Sequence, residues 1–236
     1  MKRELLAKLI ADRDAKRSVA LVTNLANGDQ VQVYPSGTVA GLPAGLVATV
    51  RQAIQDNESQ TVEIEGAGRW FVEVLNPPLR LIVVGAVHIA QPLAQIAALA
   101  GYDVAIVDPR ASFATDARFP GVRLVDEWPD DALKKLDPDR RTAVVTLTHD
   151  PKLDDPALAV ALKSDAFYIG SLGSRRTHAT RLQRLKDMGF KDSDTARIHG
   201  PVGLNIEAIT PAEIAVSILA QIIEVLHKKV EEQVPA

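Results

Sequence analysis

The sequence predicts an α/β protein, with a Rossmann-like, doubly wound parallel sheet in residues 79–236 and a small α+β domain in residues 1–78. Beyond the adjacent prolines Pro77 and Pro78, short apolar segments alternate with helical patterns, which is typical of parallel strands covered by helices on both faces. Before those prolines, strand-like segments flank turn signals such as Asn27-Gly28, which indicates hairpins. The 236 residues are sufficient for one large and one small domain.

The individual elements follow from the same periodicities. In the first domain, the pattern predicts helices over 1–17 and 46–55, and strands over 18–25, 30–34, 61–65 and 69–75. In the second, it predicts strands over 80–84, 104–107, 123–125, 143–147 and 166–169, and helices over 89–100, 129–136, 156–163, 175–188 and 210–229. The last helix opens with Thr210-Pro211-Ala212-Glu213, a capping box with proline in the first turn.

The composition is that of an ordinary globular protein and excludes several function classes. Hydrophobic residues make up 47% of the chain and the formal net charge is −3, which indicates neither disorder nor a nucleic-acid-binding surface. The sequence contains no cysteine, which excludes disulfides, thiolate zinc sites and a cysteine nucleophile. The N-terminal segment lacks the apolar core of a signal peptide, and no apolar stretch is long enough to span a bilayer. We therefore expect a cytoplasmic protein with no membrane contact.

In a doubly wound sheet, ligands bind beyond the carboxyl ends of the strands, so the residues that follow each strand are the candidates for a binding site. The first strand ends in Gly85-Ala86-Val87-His88, in the position of the dinucleotide fingerprint. Val87 stands where that fingerprint has the glycine that lets a pyrophosphate approach, which weakens the prediction of NAD(P). His88 is either a ligand contact or a residue packed at a helix start. Asp108, after the second strand, is placed either to bind a ribose hydroxyl or to cap a turn.

Polar residues also follow the fourth strand. His149 and Asp150 are candidates for ligand contacts, because an imidazole and a carboxylate at a strand end exceed what a turn requires. We interpret the nearby Asp154 and Asp155 as caps of the following helix.

The loop after the fifth strand gives the strongest local indication of an anion site. Its glycines free the backbone, its serines add hydroxyl groups, and the following helix adds unpaired N–H groups. The residues concerned are Gly170, Ser171, Gly173 and Ser174. Arg175 and Arg176 stand in the first helical turn, where positive charge opposes the helix dipole unless an anion neutralises it. We therefore predict phosphate binding at this loop.

The segment 198–205 is rich in glycine and apolar residues and precedes the last helix. We interpret it as folding over the site and bringing in His199 and Asn205. The alternative is a tight structural turn.

Four motifs, taken in order, carry a resemblance to a known family. They are Thr148-His149-Asp150 with Asp154-Asp155-Pro156, YIGSLGSRR at 168–176, IHGPVGL at 198–204, and TPAEIAVSI at 210–218. Over about residues 77–226 the sequence resembles the C-terminal domain of the XdhC/CoxI family, the accessory factors of molybdenum hydroxylases such as xanthine dehydrogenase. The family's N-terminal domain is longer, with a glycine- and serine-rich segment and often a cysteine. Residues 1–78 therefore look like a shortened, divergent version.

The resemblance implies a cofactor-binding chaperone with no catalytic residues of its own. Its cargo would be molybdenum cofactor, as molybdopterin or its dinucleotide, which it would help to sulfurate and to insert into an apo molybdenum hydroxylase of the xanthine dehydrogenase type. Because the sequence lacks cysteine, a separate cysteine desulfurase is expected as the sulfur source. A homodimer is expected from dimeric relatives and from an apolar face of the last helix, formed by Ile214, Ile218, Ile222 and Val225.

Two alternatives remain open at the level of the sequence. An NAD(P)-linked oxidoreductase would use Gly85 and Asp108, although Val87 and the lack of a Tyr-x-x-x-Lys dyad count against it. A metal-dependent hydrolase would need convergent ligands, although no pair has the spacing of a helical zinc motif. The candidate ligands for that metal are His88, Asp108, His149, Asp150 and His199.

Overall fold

Residues 3–43 and 45–228 are described by the computed structural model, in which the chain forms two units, Met1–Pro77 and Pro78–Ala236. The elements of the first unit are α1 (Arg3–Asp14), β1 (Val19–Asn24), β2 (Gln30–Val33), α2 (Leu46–Asp56), β3 (Gln60–Ile64) and β4 (Gly68–Leu75). Its sheet is antiparallel throughout, in the order β2-β1-β4-β3. Val50 and Ile54 of α2 pack in one core with Ala20 and Val22 of β1. Leu9 of α1 packs with the alternate β1 residues Val19 and Leu21, which point to the other face of the sheet. The predicted α+β architecture is confirmed.

The second unit alternates strands and helices. Its elements are β5 (Leu79–Val84), α3 (Ala90–Leu99), β6 (Tyr102–Val107), β7 (Arg123–Val125), α4 (Pro129–Leu136), β8 (Thr142–Thr146), α5 (Pro151–Lys163), β9 (Tyr168–Ser171), α6 (Arg175–Asp187), α7 (Asp192–Thr195), β10 (Ile198–His199) and α8 (Pro211–His227). The strands form a six-stranded sheet in the order β10-β9-β8-β5-β6-β7, and every neighbouring pair is parallel.

The central strand β5 contributes to both hydrophobic cores of this unit. Leu81 and Val83 pack with α3 and α8 on one face of the sheet, whereas Ile82 and Val84 pack with α4 and α5 on the other. A strand that is apolar on both faces needs helices on both sides. The predicted Rossmann-like, doubly wound fold is confirmed.

The start of α5 differs from the prediction. The helix begins at Pro151 and not at residue 156, because the Asp150 carboxylate accepts a hydrogen bond from the N–H of Lys152 and caps the first turn. Pro156 lies inside the helix. The interpretation of Asp154 and Asp155 as caps is therefore wrong, since both are internal helix residues.

Other differences concern the last part of the chain. The sequence did not predict α7 or the two-residue strand β10, which pairs with β9 at the edge of the sheet. Ile218 and Ile222 are fully buried, and Ile214 and Val225 pack against the same core. This face of α8 covers its own sheet, so it is not the dimer surface that the sequence suggested. The predicted helix ends at residues 1–2 and 229 lie outside the described residues.

Within the described ranges, no helix is long and apolar enough to cross a membrane.

The position of the loops at the carboxyl edge follows from the strand order. The chain leaves β5 for β6 and β7 on one side and then returns to form β8 on the other side, so the loops after β5 and β8 meet at the switch point of the sheet. Gly85 has a φ of +108°, and a Cβ placed there would lie 2.6 Å from Thr148 Cγ2 and 3.3 Å from its backbone nitrogen. Glycine is needed here both for its backbone conformation and for its small size.

We expect Gly85→Ala to lower the free energy of unfolding by about 2–4 kcal/mol, because it adds a left-handed alanine and an overlap with Thr148. Gly101→Ala is the matched control, since Gly101 also has a positive φ (+87°) but no atom lies within 4 Å of its Cβ position. Urea unfolding measures both variants. Thr148→Ser should recover part of the loss in the Gly85→Ala background, because it removes Cγ2 and keeps the hydroxyl. Equal losses in the two glycine variants would contradict this account of the contact.

Candidate functional site

The loops at the carboxyl edge of the sheet hold most of the residues that the sequence singled out. In spatial order they follow β9, β8, β5 and β6. The β9 loop is joined to the neighbouring strand, because the N–H of Leu172 donates to the carbonyl of Thr146 at 2.9 Å. The N–H of Leu147 likewise donates to the carbonyl of Val84 at 2.9 Å. These hydrogen bonds fix the starting point of each loop relative to the sheet.

The segment that joins β9 to α6 presents two exposed arginines. Ser174 caps the helix, and its hydroxyl accepts the N–H of Thr177 at 3.1 Å. Arg175 and Arg176 follow in the first turn, are exposed, and have no acidic residue in that turn. They form no ion pair with any residue in the described ranges. The positive end of the helix dipole and two guanidinium groups therefore face solvent together, which favours an anion.

Two residues of the predicted anion loop are buried and serve packing. The hydroxyl of Ser171 is 2.5 Å from that of Thr146 and is fully buried, so it is not presented to a ligand. Gly170 allows close packing, since a Cβ there would lie 2.6 Å from Val202 Cγ2 and 2.8 Å from the Tyr168 ring. Of the four glycines and serines that the sequence selected, Gly173 and Ser174 lie at the exposed end of the loop.

The β8 loop places His149 and Asp150 next to the switch point. His149 is exposed and has a φ of +61°, in the left-handed region that few residues other than glycine adopt. Asp150 is exposed, and one of its oxygens is used for capping α5. The loop is held by Thr148, whose hydroxyl donates to Asp154 Oδ1 at 2.6 Å.

Sequence reasoning missed two ion pairs between α5 and α6, one of them buried and the other partly exposed. Asp155 accepts hydrogen bonds from Nε and Nη2 of Arg184. Asp154 faces Arg181 at 3.6 Å, and both of these side chains are almost completely buried. Burial raises the pKa of Asp154, although the hydrogen bonds of Thr148 and the charge of Arg181 act in the opposite direction. No local pattern reveals these pairs, because each joins two helices that are distant in sequence.

Asp108 does not have the free carboxylate that a ribose hydroxyl would need. It is fully buried, and it accepts hydrogen bonds from the Ala86 N–H at 2.8 Å, from the Arg110 N–H at 3.0 Å, and from Nε and Nη2 of Arg110 at 2.8 and 2.7 Å. Burial alone would raise its pKa, but these donors outweigh it and lower the pKa below the ordinary value. The Arg110 guanidinium also lies 4.4 Å from the centre of the Phe113 ring.

The β5 loop is likewise occupied by protein contacts. The N–H of Gly85 donates to the carbonyl of Val107 at 2.8 Å, and the N–H of Ala86 donates to the Asp108 carboxylate. Arg118 donates to the carbonyl of Ala86 at 2.8 Å. His88 is exposed on the turn that leads into α3. With Val87 in the fingerprint, these contacts weigh against binding of NAD(P) at this loop.

The structure places His199 against α8. Its ring stacks on that of Tyr168, with the ring centres 4.7 Å apart and the planes at 10°. Burial lowers the pKa of His199; Glu224 of α8 acts to raise it, and Lys228, just after the helix, acts to lower it. The Tyr168 hydroxyl donates to Gln221 Oε1 at 2.6 Å, and Gly203 donates its N–H to the same oxygen at 2.8 Å. Segment 200–204 is thus tied to α8. Asn205 beyond it is exposed.

The five candidate metal ligands do not form a metal site. In the part of the chain that the structure describes, no group of three histidine, aspartate or glutamate side chains is arranged to hold a metal ion. Asp108 is bound to Arg110, and His199 faces α8. The described geometry therefore gives no support to the metal-dependent hydrolase alternative.

These features define a Rossmann-like α/β unit whose carboxyl edge carries an exposed, positively charged helix N-terminus. Residues 81–222 match the family model described as the XdhC Rossmann domain. The match covers more than half of the chain, and the chain therefore belongs to the XdhC family. The resemblance drawn from the four sequence motifs is confirmed.

Individual relatives add detail to this assignment. The molybdenum cofactor insertion chaperone PaoD of Escherichia coli (strain K12) is 34% identical over 160 residues, which are 67% of this chain and 44% of PaoD. A probable xanthine dehydrogenase component of Bacillus subtilis (strain 168) is 34% identical over 155 residues, 65% of this chain and 45% of that protein. The crystal structure of a xanthine dehydrogenase from Bacillus halodurans has a TM-score of 0.69 at 27% identity and covers 99% of this chain and 67% of that one. This chain spans less than half the length of the curated relatives it matches.

Asp108→Asn tests whether the Asp108 carboxylate stabilises the folded protein. We expect the free energy of unfolding at pH 7 to fall by about 1–3 kcal/mol, because the buried carboxylate loses its charge-assisted hydrogen bonds to the partly exposed Arg110. The pKa of Asp108 is lowered in the folded state, so its contribution is present above the unfolded pKa of about 4 and is lost as the pH falls through the folded value. Urea unfolding at pH 7 and pH 3 should show a difference between wild type and variant that shrinks in acid. Asp103→Asn, at an exposed position of β6, the strand that Asp108 follows, should change little at either pH.

Proposed function

We propose that this chain binds molybdenum cofactor as cargo and assists its insertion into the apo form of a molybdenum hydroxylase of the xanthine dehydrogenase type. In this proposal it acts as an accessory factor in the cytoplasm and not as an enzyme. The observation that carries the proposal is the exposed pair Arg175 and Arg176 at the N-terminus of α6, in a chain that is 34% identical to a molybdenum cofactor insertion chaperone.

The chemistry of the cargo matches that helix N-terminus. A molybdopterin ends in a phosphate, and in its dinucleotide form this phosphate is part of a pyrophosphate bridge. Backbone N–H groups and guanidinium groups are the donors that proteins use for phosphate oxygens. The phosphate would lie on the backbone of Gly173 and Ser174 and between the side chains of Arg175 and Arg176. The pterin would then extend toward the loops that carry His149 and His88.

The residues present also set limits on what the chain supplies. Because the 236-residue sequence contains no cysteine, it offers neither a thiolate to molybdenum nor a persulfide for sulfuration. In our proposal a cysteine desulfurase supplies the terminal sulfur, and this chain protects and delivers the cofactor. A homodimer remains a prediction. Its interface would not be formed by the apolar face of α8, because that face packs against the core of its own unit.

The proposal predicts that the protein purifies with pterin from a host that makes molybdopterin. Oxidation of the purified chain with iodine converts bound molybdopterin into a fluorescent pterin that can be quantified. Arg175→Ala/Arg176→Ala should reduce the bound pterin roughly tenfold or more, because it removes two charge-assisted contacts to phosphate.

The matched control is Arg123→Ala/Arg140→Ala, which removes the same charge from exposed positions at the amino ends of β7 and β8. It should retain the pterin of the wild type. Absence of pterin from a folded wild-type protein that has been incubated with excess cofactor would contradict the proposal. An equal loss in both double variants would show that net charge, and not this site, holds the cargo.

A further inference from the structure

Arg181 is a buried arginine with two side-chain nitrogens that make no hydrogen bond in the part of the chain that the structure describes. It lies in the second turn of α6 and is 1% exposed, and only Nη2 has a hydrogen bond, which it donates to the Leu172 carbonyl at 2.9 Å. Its Nε and Nη1 are buried and make no hydrogen bond with any residue in the described ranges. Unpaired donors on a buried charged group are costly, so proteins rarely retain them without a use.

The neighbouring ion pair shows that the helices themselves do not cause this. One turn further along, Arg184 and Asp155 of the same two helices form a hydrogen-bonded pair, with Nη2 at 2.9 Å from Oδ1 and Nε on Oδ2. Asp154, by contrast, stays 3.6 Å from Arg181, and its Oδ2 is also without a hydrogen bond. Asp154 therefore supplies counter-charge to Arg181 and leaves its donors free.

The free donors lie beneath the N-terminus of α6. Nη2 is bound to the carbonyl of Leu172, and Nη1 lies 3.8 Å from the position that a Cβ on Gly173 would occupy. Thr177 Cγ2 lies 3.1 Å from the same position, so Thr177 and the Arg181 guanidinium together line the underside of the loop at Gly173. On the outer side stand Arg175 and Arg176, whose N–H groups are the first of the helix and have no intrahelical acceptor.

We propose that Arg181 is the buried part of the phosphate site and that it selects a terminal phosphate monoester. The inference rests on the phosphate site of the proposed function and deepens it, because it specifies which form of the phosphate is bound. Nη1 of Arg181 donates to one phosphate oxygen from below the loop at Gly173, and the first turn of α6 and its two exposed arginines hold the others from above.

The number and position of the donors favour a monoester over a diester. A monoester has three terminal oxygens and close to two negative charges, whereas a diester has two terminal oxygens and one charge. Donors that approach from opposite sides of the loop can use all three terminal oxygens of a monoester. A guanidinium in a buried, low-dielectric position also interacts more strongly with the doubly charged group.

The experiment uses the full chain with phenyl phosphate as the monoester probe and dimethyl phosphate as the diester probe. Binding is followed by titration in ¹H–¹⁵N NMR spectra, with the backbone amides of Gly173, Arg175 and Arg176 as reporters. The test variant is Arg181→Met/Asp154→Asn, which removes both charges and keeps an oxygen for Thr148. The control is Arg184→Met/Asp155→Asn, which makes the same change to the complete pair between the same helices.

We expect the wild type to bind phenyl phosphate more tightly than dimethyl phosphate. Arg181→Met/Asp154→Asn should lower the affinity for phenyl phosphate roughly ten- to hundredfold, which is the loss expected for one charge-assisted hydrogen bond. The Arg184→Met/Asp155→Asn control should bind as the wild type does. Asp154→Asn alone should tighten binding, because it removes a negative charge near the anion and keeps Arg181. A purely structural role for the pair would not produce opposite effects in the two Asp154 variants.

Several outcomes would overturn the inference. Equal affinity for the two probes would refute the selectivity for a monoester. Unchanged binding of phenyl phosphate in Arg181→Met/Asp154→Asn would show that Arg181 does not contact the phosphate. If that variant does not fold, weaker binding in Asp154→Asn overturns the inference by itself. Failure here is distinguishable from failure of the proposed function. Pterin loss in Arg175→Ala/Arg176→Ala with no effect of Arg181 would refute only this inference, whereas Arg181-dependent phosphate binding without pterin would refute only the cargo.

Discussion

The hydrogen bonds between Thr148 and Asp154 hold the carboxyl edge of the sheet together. Both the hydroxyl and the N–H of Thr148 donate to Asp154 Oδ1, at 2.6 and 3.3 Å, and this fixes the β8 loop against Gly85. Because Asp154 lies in the first turns of α5, the same carboxylate faces Arg181, which in turn is bonded to the carbonyl of Leu172. One buried side chain thus contacts both the loop after β8 and the arginine that is bonded to the loop after β9. The exposed groups at this edge, among them His149 and Arg175, are carried by loops that this internal network holds.

The strands and most helices could be predicted because their signals are local. A strand apolar on both faces, such as β5, and the capping box at Thr210 each identify an element without knowledge of its neighbours. The start of α5 was missed although Asp150-Pro151 is a comparable signal, since Pro156 was interpreted as the first-turn proline. The partners of Asp154 and Ser171 could not be predicted, because they come from other elements that the fold brings together. The sequence therefore predicted which residues lie at the carboxyl edge, whereas it did not predict which of them are exposed and which are buried.

Asp108 shows why a residue at a conventional ligand position need not bind a ligand. It follows the second strand of the Rossmann-like sheet, as the ribose-binding carboxylate of dinucleotide-binding proteins does, yet its oxygens already accept four hydrogen bonds from Ala86 and Arg110. The fold is retained while the hydrogen-bonding capacity of the position is used internally. The exposed side chains of Arg175 and Arg176 lie on the other half of the sheet, in the first turn of the helix that follows β9.

The strand order also has a consequence for the synthesis of the protein. Strands β5 and β6 follow one another in the chain and pair directly, so they can associate as soon as both have left the ribosome. The opposite edge of β5 has to wait for β8, which is separated from it by residues 85–141. Synthesis proceeds from the N-terminus, so the β8 and β9 loops are the last part of the edge to assemble. In a nascent chain, Arg175 and Arg176 therefore reach their place at this edge only after β5, β6, β7 and β8 have been synthesised.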